Sequence, residues 1–164
     1  MGYKDNVTFA IRSLLMYREL KKIGIFNEYQ FTLATGTLLN VLSAILQEND
    51  HAIIDRASLR AQDFPYLEEE NEKSLRAYLR KIRDALAKKT DGDNGNFVCE
   101  KEHGDIVKIV LHTERDTSKI AFSSENFEKI LDCLEDAIKD DQTYGKDYKT
   151  EEKSFKIKIK RSVK

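Results

Sequence analysis

Apolar residues recur at helical spacing from the start of the chain. Val7, Ala10, Ile11, Leu14, Leu15 and Ile23 predict a helix over about residues 7–23, with Gly24 as its stop. Phe31, Leu38, Val41, Leu42, Ile45 and Leu46 predict a second helix within 27–47. Gly36 and the threonines at 32, 35 and 37 weaken its first half. A close helix–helix contact at Gly36 would account for a glycine there. A short helix over about 52–61 follows, closed by Pro65, with Phe64 extended before it. The most regular segment is 68–88. Leu75, Leu79, Ile82 and Leu86 step by four, three and four, Glu68, Glu69, Glu70 and Glu72 open it, and Lys88 and Lys89 close it.

After the turn-rich stretch 90–96 the period changes to two. Strands are predicted over 96–101, 106–112 and 119–122, with His103, Gly104 and Asp105 turning the first pair. Ser123 or Ser124 then caps a last helix whose apolar face is Phe127, Ile130, Leu131, Leu134 and Ile138. Beyond Lys139 the chain is polar, with Gly145 in a loop, and it ends on the alternation Phe155-Lys156-Ile157-Lys158-Ile159-Lys160. Strict alternation predicts an amphipathic edge strand guarded by lysines, or a flexible basic arm. The expected architecture is mainly α. One domain spans 1–139, a helical bundle with a small antiparallel sheet before its last helix, and 140–164 form a polar, basic tail.

The length of 164 residues suits one core. Charged residues make up 35% of the chain, yet the net charge is only -1, which argues against a broad, nonspecific nucleic-acid surface. No apolar run is long enough to span a bilayer, and no leader pattern opens the chain, so a cytoplasmic protein without membrane attachment is expected. Cys99 and Cys133 have no CxxC spacing and read as reduced, partly buried thiols. His51, His103 and His112 are scattered, and no phosphate-cradling glycine loop is present. No metal and no cofactor is therefore expected.

Two basic features could carry chemistry. Lys73, Arg76, Arg80 and Arg83 step by three, four and three along the regular helix and share one face. Such a ridge is either a solvated surface or an anion site, since arginine pairs phosphate oxygens bidentately. Lys156, Lys158, Lys160, Arg161 and Lys164 form the second, either an edge guard or a phosphate-contacting ribbon.

The run Leu79-Arg80-Lys81-Ile82-Arg83-Asp84-Ala85-Leu86-Ala87-Lys88, followed by a loop, strands and a helix, resembles the HEPN superfamily of helical nucleic-acid-associated domains. The upstream helix pair around Phe26-Asn27-Glu28-Tyr29-Gln30-Phe31 also looks like small members of that group. The resemblance extends over about residues 7–139. In that family an arginine and a following histidine act at a dimer interface in metal-independent RNA cleavage. It implies catalytic roles for Arg83, Asp84 and Lys88, and RNA contacts by Lys73, Arg76 and Arg80 across a two-fold axis. Lys88 stands where the family has histidine. A lysine of ordinary pKa near ~10.4 does not exchange protons at neutral pH, although it can stabilise anionic charge. The implied function is an RNA-associated homodimer in a toxin or phage-defence setting, with impaired or lost cleavage. A protein-interaction module of immunity or regulatory type is the alternative, and a winged-helix DNA binder a weaker one. Charge location separates them: an open arginine ridge favours RNA, and arginines neutralised within the monomer favour the interaction module.

Overall fold

A computed structural model describes residues 3–24, 29–46, 53, 72–87, 97–113 and 116–162. Among them are five helices and three strands: α1 (Tyr3–Ile23), α2 (Gln30–Ile45), α3 (Glu72–Ala87), β1 (Phe97–Glu102), β2 (Asp105–Thr113), β3 (Asp116–Phe122), α4 (Ser124–Asp140) and α5 (Tyr144–Ser162). The fold is a mainly helical bundle carrying a small antiparallel sheet. Of the expected helix over 52–61 only Ile53 is described, helical and buried, and its closure at Pro65 and the loop at 90–96 lie outside the described residues.

α1 and α2 pack as a pair. Each buries the stripe its spacing dictates: Val7, Ala10, Ile11, Leu14 and Tyr17 on α1, and Phe31, Ala34, Leu38, Val41, Leu42 and Ile45 on α2. Gly24 ends α1 at φ 73°, its N–H bonded to the Leu20 carbonyl. Gly36 is exposed, and among the described residues no atom beyond its own helix comes within 4 Å of the position a Cβ would take. The expected close contact there is thus corrected: the glycine sits on the solvent side of α2.

α3 packs on α2 and β2 and buries Leu75, Leu79, Ile82 and Leu86. The strands are ordered β1-β2-β3, all antiparallel. His103 and Gly104 both adopt positive φ, 51° and 89°, between paired Glu102 and Asp105, which is the backbone a tight two-residue hairpin requires. Ser123 caps α4, its hydroxyl accepting from the Asn126 N–H while its own N–H donates to Asn126 Oδ1. Tyr78 on α3, Phe122 on β3, Phe127 on α4 and Phe31 on α2 form a chain of ring contacts with centroids 6.4, 5.2 and 5.6 Å apart, tying four elements into one core.

The expectations for the C-terminal segment are corrected. Residues 144–162 are a helix, neither edge strand nor flexible arm, and it packs on α1 and α4. The alternation from Phe155 to Lys160 satisfies a period of two, but the longer series Tyr144, Tyr148, Phe155 and Ile159 follows helical spacing. Tyr148 is buried, Phe155 packs against the core, and Ile157 lies on the opposite side, 44% exposed. Gly145 is not in a loop either. It sits in the first turn of α5, where a Cβ would overlap the Lys139 carbonyl oxygen at the end of α4.

Candidate functional site

α5 is held at several levels by the bundle. At its start the Asp141 carboxylate accepts from the Thr143 and Tyr144 N–H groups at 3.0 and 2.9 Å, in the manner of a helix cap. One turn on, the Lys139 ammonium lies 5.0 Å from the Tyr148 ring centroid. Further along, Arg12 of α1 grips Glu151 through Nε and Nη2 at 2.9 and 3.3 Å.

Behind these contacts is a charged seam. Arg18 of α1 pairs with Asp132 and with Glu135 of α4, the second at 3.3 Å, and Lys139 reaches Glu135 at 3.2 Å. Glu135 is buried, so its charge requires those two cations. Burial works against the Arg18 charge, but Glu135 and Asp132 outweigh it and hold the guanidinium pKa above its ordinary value. A second carboxylate, Glu128, takes Tyr17 Oη at 2.9 Å, Gln30 Nε2 at 2.5 Å and Lys21 at 3.1 Å. Burial alone would raise its pKa, and these three donors together lower it. The seam fixes how α1 and α4 meet, and so where α5 lies.

With its inner face so engaged, α5 turns a different chemistry outward. Lys146, Lys149, Lys153, Lys156 and Lys160 step by three, four, three and four, and every one is exposed. Lys158 and Arg161 widen the stripe, also exposed. From Lys153 to Ser162 there are five cations and no carboxylate. Lys156 is steadied by Glu152 at 2.7 Å, one turn back. An open depression of about 450 Å³ is lined by Thr150, Lys153, Ser154, Ile157, Lys158 and Arg161. At ~1.5 Å rise per residue, the ridge from Lys146 to Lys160 extends about 21 Å. Its neighbouring lysines are about one helical turn apart, ~5–6 Å between Cβ atoms.

Among the residues singled out on α3, the described ones differ in exposure. Arg80 is exposed. Arg76 is half-buried, with its Nε fully enclosed. Arg83 is 26% exposed in its side chain and bonds Asp84 through Nε and Nη2 at 2.9 and 2.8 Å. Lys73 lies in the first turn of α3, its side chain outside the described residues, as is all of Lys88. The structure therefore brings Arg83 and Asp84 together with each other. Lys146, Lys149 and Lys153 were missed by sequence reasoning because that segment read as a tail. Their spacing, continued through Lys156 and Lys160, was the available signal.

Among the described residues no group of three or more His, Cys, Asp or Glu side chains is placed to hold a metal ion. Cys99 and Cys133 are both half-buried and are not joined in a disulfide. None of the described helices is long and apolar enough to cross a membrane. No family model, curated protein or solved structure matches the chain.

Proposed function

We propose that this chain associates with RNA through the phosphate backbone, using the lysine face of α5, and does not cleave it. The observation that carries the reading is the exposed row Lys146, Lys149, Lys153, Lys156 and Lys160 in a chain whose total charge is only -1. A regular row of ammonium groups, one per turn, suits a flexible polyanion whose phosphates can adjust to it. Lysines act there as point charges without directional demands, so such binding is indifferent to sequence. On α3 the Arg83–Asp84 pair falls on the side of a protein-interaction module, so the RNA reading rests on the α5 row, with the HEPN resemblance supporting RNA as the polymer only by analogy. Against cleavage stand the lysine at position 88 and the engagement of Arg83 by Asp84. Lysine at that position lacks the near-neutral ordinary pKa of the histidine it replaces.

Fluorescence anisotropy with a labelled single-stranded RNA tests this. Affinity should fall steeply with salt, with a log–log slope between about -3 and -5 if most of the row engages phosphates. Lys149→Glu/Lys153→Glu/Lys160→Glu should abolish binding while circular dichroism shows the helices intact. Salt-independent binding, or binding untouched by the triple change, rejects the α5 assignment. Incubation of RNA in EDTA tests the catalytic half: no cutting is expected from the native chain. Cutting by Lys88→His that is lost on Arg83→Ala would instead establish the HEPN site as a silenced nuclease.

A further inference from the structure

α1 leaves three large apolar side chains in solvent: Phe9 at 58%, Met16 at 55% and Ile23 at 50% exposure. They are separated by seven residues each, so they lie along one line on the side of α1 turned away from its buried stripe. A seven-residue interval keeps the row on one face along a shallow left-handed crossing, with one apolar position per heptad here and Arg12 and Glu19 at the other. Scattered apolar residues on a surface need no partner, but a row at this interval is a seam.

We infer that this seam is covered by α1 of a second copy of the chain, packed antiparallel about a two-fold axis at Met16. The charges beside the row select that occupant. Arg12 and Glu19 flank it, between Phe9 and Met16 and between Met16 and Ile23. With the helices antiparallel and Met16 on the axis, Phe9 of each copy faces Ile23 of the other. Arg12 then comes beside the other copy's Glu19, twice, by symmetry. A parallel pairing puts the two copies of Arg12, and of Glu19, on opposite flanks of the row, where neither meets an opposite charge, and aligns the two helix dipoles unfavourably. Arg12 remains available: its side chain is 61% exposed, and its bond to Glu151 uses Nε and Nη2, leaving Nη1 outside that fork. The contact spans about 21 Å of helix, small for an interface, so a dimer of micromolar affinity is expected. It lies on α1 rather than on the arginine helix α3, and it is independent of the RNA reading, which rests on α5.

Helix axes about 8–10 Å apart with Cα atoms ~2.3 Å off axis bring the two Met16 Cα atoms within disulfide reach. The test uses the full chain, with the native protein and its Cys99 and Cys133 as the oxidation control. Sedimentation equilibrium should show a monomer–dimer transition in the micromolar range, abolished by Met16→Lys, which sets two ammonium groups on the axis. Under mild oxidant Met16→Cys should give a covalent dimer. Phe9→Cys mixed with Ile23→Cys should cross-link, and Phe9→Cys alone should not. A chain that stays monomeric throughout the range overturns the inference, as does a dimer that survives Met16→Lys. Cross-linking of Phe9→Cys to itself overturns the antiparallel register.

Discussion

The Arg83 guanidinium forks onto the carboxylate of the residue beside it, Asp84, with Nε and Nη2 at 2.9 and 2.8 Å. Adjacent residues point about 100° apart on a helix, so the pair closes sideways across the surface of α3. The consequence concerns charge: the most arginine-rich helix presents less free cation than its sequence suggests. Arg83→Ala should therefore lower RNA affinity only modestly, about two- to threefold at low salt, because it removes no free cation and acts through the Asp84 carboxylate left without its partner. Asp84→Ala should strengthen binding by roughly three- to tenfold at low salt, if the released guanidinium takes up a phosphate. Anisotropy titrations of both variants beside the native chain distinguish these outcomes. A large loss in Arg83→Ala would return the binding site to α3.

Gly36 and Gly145 should respond to alanine with opposite signs. Gly36 is helical, exposed and unobstructed, so alanine replaces only a flexible backbone and should stabilise by about 1 kcal/mol. Gly145 is also helical, but a methyl there overlaps the Lys139 carbonyl oxygen and comes within 3.2 Å of its carbonyl carbon. Backbone must move to admit it, and a cost of about 1–3 kcal/mol is expected. Urea denaturation monitored by circular dichroism reads both. Equal gains at the two positions would mean that α5 does not dock on the end of α4 as described.

The same two glycines mark what the sequence could and could not reveal. Helices α1 to α4 were legible because their buried positions follow one period without competition. Leu75, Leu79, Ile82 and Leu86 illustrate this, since all four are buried. The strands were legible because β-branched residues alternate with clear turn residues, although Ile109, Val110 and Leu111 are buried in succession. α5 was not legible, because two periods overlap in it. Phe155, Ile157 and Ile159 alternate like a strand, and only Tyr144 and Tyr148 upstream break the tie toward a helix. Its start was hidden as well, since Asp141 caps from within a polar run and Gly145 reads as a turn. For the candidate site, periodicity located the α3 arginines but could not show that Asp84 occupies Arg83. Pairing between neighbours depends on rotamers, which spacing does not encode.

Arg18 and Glu135 should be strongly coupled. Glu135 is 9% exposed in its side chain, and Arg18 and Lys139 are its charged partners, at 3.3 and 3.2 Å. Arg18→Met removes the nearer-buried partner and leaves Glu135 with Lys139, which is 42% exposed. A loss of about 2–3 kcal/mol is expected, less than for a wholly buried pair because water reaches Arg18. Arg18→Met/Glu135→Leu should recover at least half of it, since no uncompensated carboxylate is then buried. Thermal denaturation of the single and double variants closes the cycle. Additive losses would show that the seam contributes contact area but no charge pairing.

Stability should fall at both ends of the pH scale, for separate reasons. Burial raises the Glu128 pKa, but the hydrogen bonds from Lys21, Tyr17 and Gln30 more than reverse that, so its folded value lies below the ordinary 4.5. A depressed carboxyl pKa stabilises the fold fully above the unfolded value, and that stabilisation is lost as pH falls through the folded one. Acid destabilisation should thus begin below about pH 4.5 and be smaller in Glu128→Gln. At the other end, burial raises the Tyr17, Tyr78 and Tyr148 hydroxyls above their ordinary 10.0, with Glu128 adding to it at Tyr17 and Glu135 and Glu152 at Tyr148. Raised values leave stability intact below pH 10.0, and it declines above that as the unfolded chain ionises while the folded one does not. Absorbance at the tyrosinate band, followed with far-ultraviolet dichroism, checks this. These three tyrosines should ionise only together with loss of helix. A smooth titration of every tyrosine with the helices still intact would contradict their burial in the core.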